Sequence, residues 1–103
     1  MVTVTIKEKE YKLYLRMIDV IALEKELGDN PINLFVGVQE EGQAKVPFKF
    51  SDMVLVIKYS LRQNHKGMKD ENVYALVDEW LEEEENGLEK MIEVVMELLK
   101  RFF

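Results

Sequence analysis

The sequence predicts an α+β fold, mainly helical, in which an N-terminal β-hairpin is followed by four to five α-helices. Two observations carry this. Apolar and polar residues alternate with a period of two over residues 2–15, which is the mark of half-buried strands. From Met17 onward the spacing changes to that of amphipathic helices. No internal repeat or second domain interrupts the 103 residues, so residues 1–103 are read as one domain. A chain of this length buries roughly two-thirds of the surface its unfolded form exposes.

Val2, Val4 and Ile6 alternate with Thr3, Thr5 and Lys7, and Tyr11, Leu13 and Leu15 alternate with Lys12, Tyr14 and Arg16. The short charged link Glu8-Lys9-Glu10 makes a hairpin the economical connection, although the Asn-Gly or Asp-Gly of the strongest turns is missing. Two strands alone are marginal in water, so a helix is expected to cover one face. In the first helix, from Met17, the residues Ile18, Ile21, Ala22 and Lys25 share a stripe, with Leu23 and Leu27 beside it and Gly28 as C-cap. Pro31 is placed as the first-turn proline of a short helix through Leu34, Phe35 and Val38, and Glu40 to Lys45 reads as a flexible loop. Ser51 is expected to cap the next helix, with Asp52 against its dipole. That helix is apolar nearly all round from Met53 to Leu61, which assigns it to the middle of the domain, and Gly67 follows its end. Val73, Leu76, Val77, Trp80 and Leu81 then form one helical stripe, and Leu88, Met91, Ile92, Val95, Leu99 and Phe102 form another. Asn86 and Glu89 at the start of the last helix resemble a capping box.

The formal net charge of −6 is unevenly spread. Residues 1–66 hold ten Lys/Arg against nine Asp/Glu, leaving +1, whereas residues 67–103 hold four against eleven, leaving −7. Nucleic-acid binding needs clustered cations to release counterions, and none are clustered here, so nucleic acid is set aside. No apolar run approaches the ~20 residues of a membrane span, and the N-terminus lacks a signal peptide's apolar block. The absence of cysteine removes disulfides, thiolate metal sites and thiol catalysis, and fits a reducing cytoplasm.

Little in the sequence points to chemistry. Glu82 to Glu85 is the densest set of potential metal ligands, but successive helical residues fan out by ~100° and four consecutive glutamates do not converge on one ion. His65, the one histidine, lies near a helix C-terminus, where it complements the dipole. A triad would need Ser51 or Ser60; the first is expected as a cap and the second within a buried helix. No glycine-rich phosphate cradle is present, and no cofactor is expected.

The candidate protein-interaction residues are Trp80, Val95, Leu99, Phe102 and Phe103. Trp80 fits either a core anchor or an interface hot spot. Phe102 and Phe103 are adjacent, so their side chains diverge by ~100°, and at least one is expected to be exposed or covered by a second chain.

The order of segments resembles a known family. Tyr11-Lys12-Leu13-Tyr14-Leu15-Arg16, then Ile21-Ala22-Leu23-Glu24-Lys25-Glu26-Leu27-Gly28-Asp29-Asn30-Pro31, is similar to the tail assembly chaperones of long-tailed, siphovirus-type phages and prophages of Gram-positive bacteria. The similarity continues through Val54 to Leu61, through Val73-Tyr74-Ala75-Leu76-Val77-Asp78-Glu79-Trp80-Leu81-Glu82-Glu83, and through Met91 to Leu99. Two departures are local: Lys69 stands where such proteins place a capping Thr or Ser, which shifts the cap to Asp70, and the loop Glu40 to Lys45 is longer than usual.

The resemblance implies a non-enzymatic protein of the bacterial host's cytoplasm, absent from the mature virion. It would self-associate as a homo-oligomer, bind the apolar, helical tape measure protein and recruit tail tube protein around it. A frameshifted longer form commonly accompanies such a protein, which makes Phe102-Phe103 an interface or a junction. The alternative reading is a small acidic adaptor or regulatory protein that binds one host or phage protein. A strongly acidic outer face would keep a complex with an apolar client from precipitating.

Overall fold

β1 (Val2–Ile6) and β2 (Lys9–Leu13) pair antiparallel, with Val2 opposite Leu13, Val4 opposite Tyr11 and Ile6 opposite Lys9. The computed structural model describes residues 2–28, 50–83 and 85–102. Only Lys7 and Glu8 separate the strands, and both are left-handed, at φ 49° and 66°. This is the geometry of a two-residue primed turn, which matches strand twist and normally recruits Asn-Gly. Here Lys and Glu occupy it, and the Lys7 backbone N–H is held by the Glu83 carboxylate from the far end of the chain. Val4, Ile6, Tyr11 and Leu13 face inward; Thr3, Thr5, Glu10 and Lys12 face solvent.

Four helices follow among the described residues: α1 (Met17–Leu27), α2 (Phe50–Leu61), α3 (Asp70–Glu83) and α4 (Gly87–Lys100). The expected α+β, mainly helical architecture is therefore observed. α2 is the hub, in contact with α1, α3, α4 and β2, while α3 and α4 also reach β1. Its Met53, Val56, Ile57 and Leu61 are all but fully buried, each contributing about 1.5–3 kcal/mol by leaving water. The helix expected after Pro31 and the loop Glu40 to Lys45 lie outside the described residues.

The helix starts differ from expectation. Ser51 is exposed and already inside α2, whose helical run begins at Phe50. Asn86 precedes α4 but makes no side-chain cap, so the expected capping box with Glu89 is not formed. α3 is opened by Lys69, whose N–H donates to Asn72 Oδ1 at 3.0 Å, while Asp70 is the first helical residue and not the cap. α1 uses the same half-box: the Arg16 N–H donates to Asp19 Oδ2 at 3.0 Å. In both helices a basic residue stands at the cap and the third helical residue supplies the oxygen.

Two glycines are required by geometry. Gly28 closes α1 at φ 71°, with its N–H donating to the Glu24 carbonyl at 3.0 Å. At Gly87 a Cβ would fall 2.9 Å from Leu81 Cα, so the turn between α3 and α4 closes only without a side chain there.

Candidate interaction surface

The C-terminal helix pair exposes Tyr74 and Leu88, the latter a member of the predicted α4 stripe, but buries the three described interaction candidates on its helices. Trp80 is 3% exposed, and Val95 and Leu99 are fully buried, all within a single chain. The stripe of α4, extended by Leu98, lies against α2 and β1, where the domain's own hub consumes it. Of the two readings of Trp80 the core anchor is the one observed, and the interaction candidates Val95 and Leu99 are core residues of this chain. The missed signal was the apolar character of α2 on every side, since such a helix needs cover all round. Phe102 is half-buried and packs on the same core. Beside it the Arg101 guanidinium donates to the Leu15 carbonyl at 2.6 Å and lies 4.7 Å from the Tyr14 ring and 4.9 Å from the Phe102 ring. Arg101 therefore stitches the end of α4 to the junction between β2 and α1. Phe103 lies outside the described residues.

Among the described residues, Phe50, Tyr74 and Leu88 are each exposed on a different helix, and only α1 groups three large apolar side chains in solvent. Met17 and Ile18 are each 61% exposed and Ile21 is 47% exposed. The spacing 17, 18, 21 puts them on one face, continued by exposed Glu24 and Lys25. Of the predicted stripe, Ile18, Ile21 and Lys25 are exposed and Ala22 is partly buried against the core, while the fully buried residues of α1 are Asp19 and Leu23. Asp19 goes inward because Arg16 follows it: besides the backbone N–H, Nε donates at 2.8 Å and Nη2 at 3.1 Å to the carboxylate. This fork satisfies a buried anion from several directions. The hydrogen bond to Asp19 also raises the Arg16 guanidinium further above its ordinary value.

Other polar groups bind the helices to one another. Lys58 on α2 reaches Glu26 on α1 at 3.3 Å and Asp70 at the start of α3 at 3.1 Å. Burial pulls its ammonium down, but the hydrogen bonds to Asp70 and Glu26 win and raise it. The Tyr59 hydroxyl donates to the same Glu26 carboxylate, and burial, then that carboxylate, push its ionisation up. Beside this cluster a shallow groove of about 390 Å³ runs past Val54, Leu55 and Tyr74.

His65 does not act as a cation at a helix end. Its Nε2 accepts the Lys12 backbone N–H at 3.1 Å, which requires the neutral ring, and its ring lies 5.2 Å from that of Tyr11. Burial, then the nearby Lys9 ammonium, lower its basicity. The basic nitrogen a catalytic histidine would offer is thereby engaged by backbone. Ser60 is buried, with its hydroxyl donating to the Ile57 carbonyl at 2.7 Å. Among the described residues no three His, Asp or Glu side chains gather as they would around a metal ion. No described helix is long and apolar enough to cross a membrane. Comparison with family models, curated proteins and solved structures gave no match.

Proposed function

We propose that this chain is a non-enzymatic tail assembly chaperone that binds a tape measure protein in the host cytoplasm and helps recruit tail tube subunits. The reading rests on the resemblance of two stretches, Leu23 to Pro31 and Val73 to Leu81, to that family. The structural observation that supports it is the bare apolar face of α1, Met17, Ile18 and Ile21, in a chain of net charge −6. An apolar client helix would lay one stripe along such a face, and methionine at its edge adapts to irregular partners. The acidic 67–103 half would supply the solubility that an apolar client lacks.

Co-expression with the tape measure protein of the neighbouring gene tests this. The expected result is a soluble complex that elutes together on a sizing column. The variant Met17→Ser/Ile18→Ser/Ile21→Ser is expected to lose the client while its own stability stays within about 0.5 kcal/mol per site, as at other exposed positions. A client that stays insoluble beside the wild-type chain counts against the reading. The −7 of residues 67–103 also suits an acidic adaptor for one host or phage protein. Gene order separates the two, since a tail tube gene upstream and a tape measure gene downstream favour the chaperone.

A further inference from the structure

The two edges of the hairpin are treated differently. On the outer edge of β2, Lys12 donates its N–H to His65 Nε2 at 3.1 Å and accepts from Asn64 Nδ2 at 3.5 Å. Two residues on, the Tyr14 N–H donates to the Ser60 carbonyl at 2.8 Å. The end of α2 and the turn after it therefore occupy this edge as a neighbouring strand would. Glu83 meets the Lys7 N–H just past the end of β1, but at Thr3 and Thr5 no described residue provides such cover. In an antiparallel pair closed by a two-residue turn, Ile6 and Lys9 form a hydrogen-bonded pair, and the pattern alternates from there. The backbone groups of Thr3 and Thr5 consequently point away from β2. Both residues are exposed, and the sheet has no strand beyond β1 among the described residues.

The geometry points to a second copy of this chain as the occupant of that edge, paired antiparallel through β1 about a two-fold axis at Val4. In this register Thr3 of each copy lies opposite Thr5 of the other, and these are the residues whose N–H and C=O groups are free to exchange hydrogen bonds. Val4 meets Val4, and Val2 meets Ile6, on the face that already carries the core. Thr3 and Thr5 meet on the solvent face, where threonine pairs favour strand association. A copy of itself is the fitting partner because Val-Thr-Val-Thr-Ile is uncharged in a chain of net charge −6, so self-pairing opposes no like charges along the strand. It lacks the lysine or proline that usually guards an edge strand. The assembly also terminates. A sheet of order β2–β1–β1–β2 ends on both sides at an edge closed by His65, Asn64 and Ser60, so pairing stops at the dimer. The inference uses only the hairpin and its flanks and does not depend on the chaperone reading.

Sedimentation of the full chain over a concentration series tests it, with amide exchange at Thr3 and Thr5 as a local readout. The wild type is expected to form a dimer in which both amides gain protection as concentration rises. Thr3→Pro removes an N–H that the hairpin itself does not use, and is expected to weaken the dimer at least tenfold, roughly the worth of the bonds lost. Two further variants keep the backbone intact. Thr3→Glu/Thr5→Lys sets Glu against Lys across the axis and also suits Lys12 and Glu10 within the hairpin, so it should tighten the dimer; Thr3→Glu/Thr5→Glu should loosen it. A wild type that is monomeric throughout overturns the proposal, as does a folded Thr3→Pro variant that dimerises like the wild type. Equal affinity in the two charged variants overturns the register.

Discussion

Along α4, Met91, Val95 and Leu99 recur every four residues and are sealed inside; along α1, Met17 and Ile21 recur at the same interval and stand in solvent. The two helices do not differ in pattern so much as in what meets them. α4 finds α2 and β1 across its stripe. The rotation of α1 is fixed at its first turn instead, where Asp19 must face the Arg16 N–H to open the helix. Once Asp19 is inward, Leu23 one turn on is inward too; Ile18, ~100° to one side, is carried outward, while Val20 on the other stays partly buried against the core. An ion pair at a helix start thus outranks several apolar side chains in setting which face is buried.

The largest expected effect comes from charging the sealed face. Leu99→Asp places an unpaired carboxylate where no water reaches, at a cost of about 4 kcal/mol or more, enough to unfold a marginal domain. Ile18→Asp on α1 adds the same charge and should change stability by less than about 0.5 kcal/mol. Urea titrations of the two, read by circular dichroism, decide the matter. A Leu99→Asp protein that melts like the wild type would mean that α4, not α1, presents the open face.

Asp19→Ala probes what holds α1 in its rotation. It removes the acceptor for the Arg16 N–H and for the guanidinium fork, and should cost about 2 kcal/mol. With the polar constraint gone, Ile18 and Ile21 compete for the interior. Unchanged stability would show that packing of Leu23 alone sets the rotation.

The hairpin and the helix stripes were legible in the sequence because period is a local property: Val2, Val4 and Ile6, or Val73, Leu76, Val77 and Trp80, announce their common face unaided. What was not legible is which neighbour uses that face. An apolar stripe holding Trp80, or Val95 and Leu99, suits a core as well as a partner, and the position of α2 between the other helices decides for core. Asp19 was overlooked because a lone aspartate in a helix's first turn is ordinary; its burial depends on Arg16 folding back over it. Lys7-Glu8 hid the turn for a related reason, since the contact that accompanies it comes from Glu83, 76 residues away.

Asp19 and His65 share one device: each turns a polar side chain toward a backbone N–H that would otherwise be unpaired. They differ in charge, and pH separates them. His65 accepts the Lys12 N–H only as the neutral ring, and burial with the nearby Lys9 lowers its basicity in the folded chain. The unfolded chain therefore takes up a proton first as pH falls below the ordinary imidazole value of about 6.5. The stability His65 contributes is complete above that pH and declines as pH falls toward its lower folded value. A urea midpoint followed from about pH 7.5 to pH 5.5 should drop for the wild type. In His65→Gln the amide oxygen still accepts the N–H but does not titrate, so its profile should be flatter. Parallel profiles would mean that the ring closes the β2 edge by stacking on Tyr11 and not by its nitrogen.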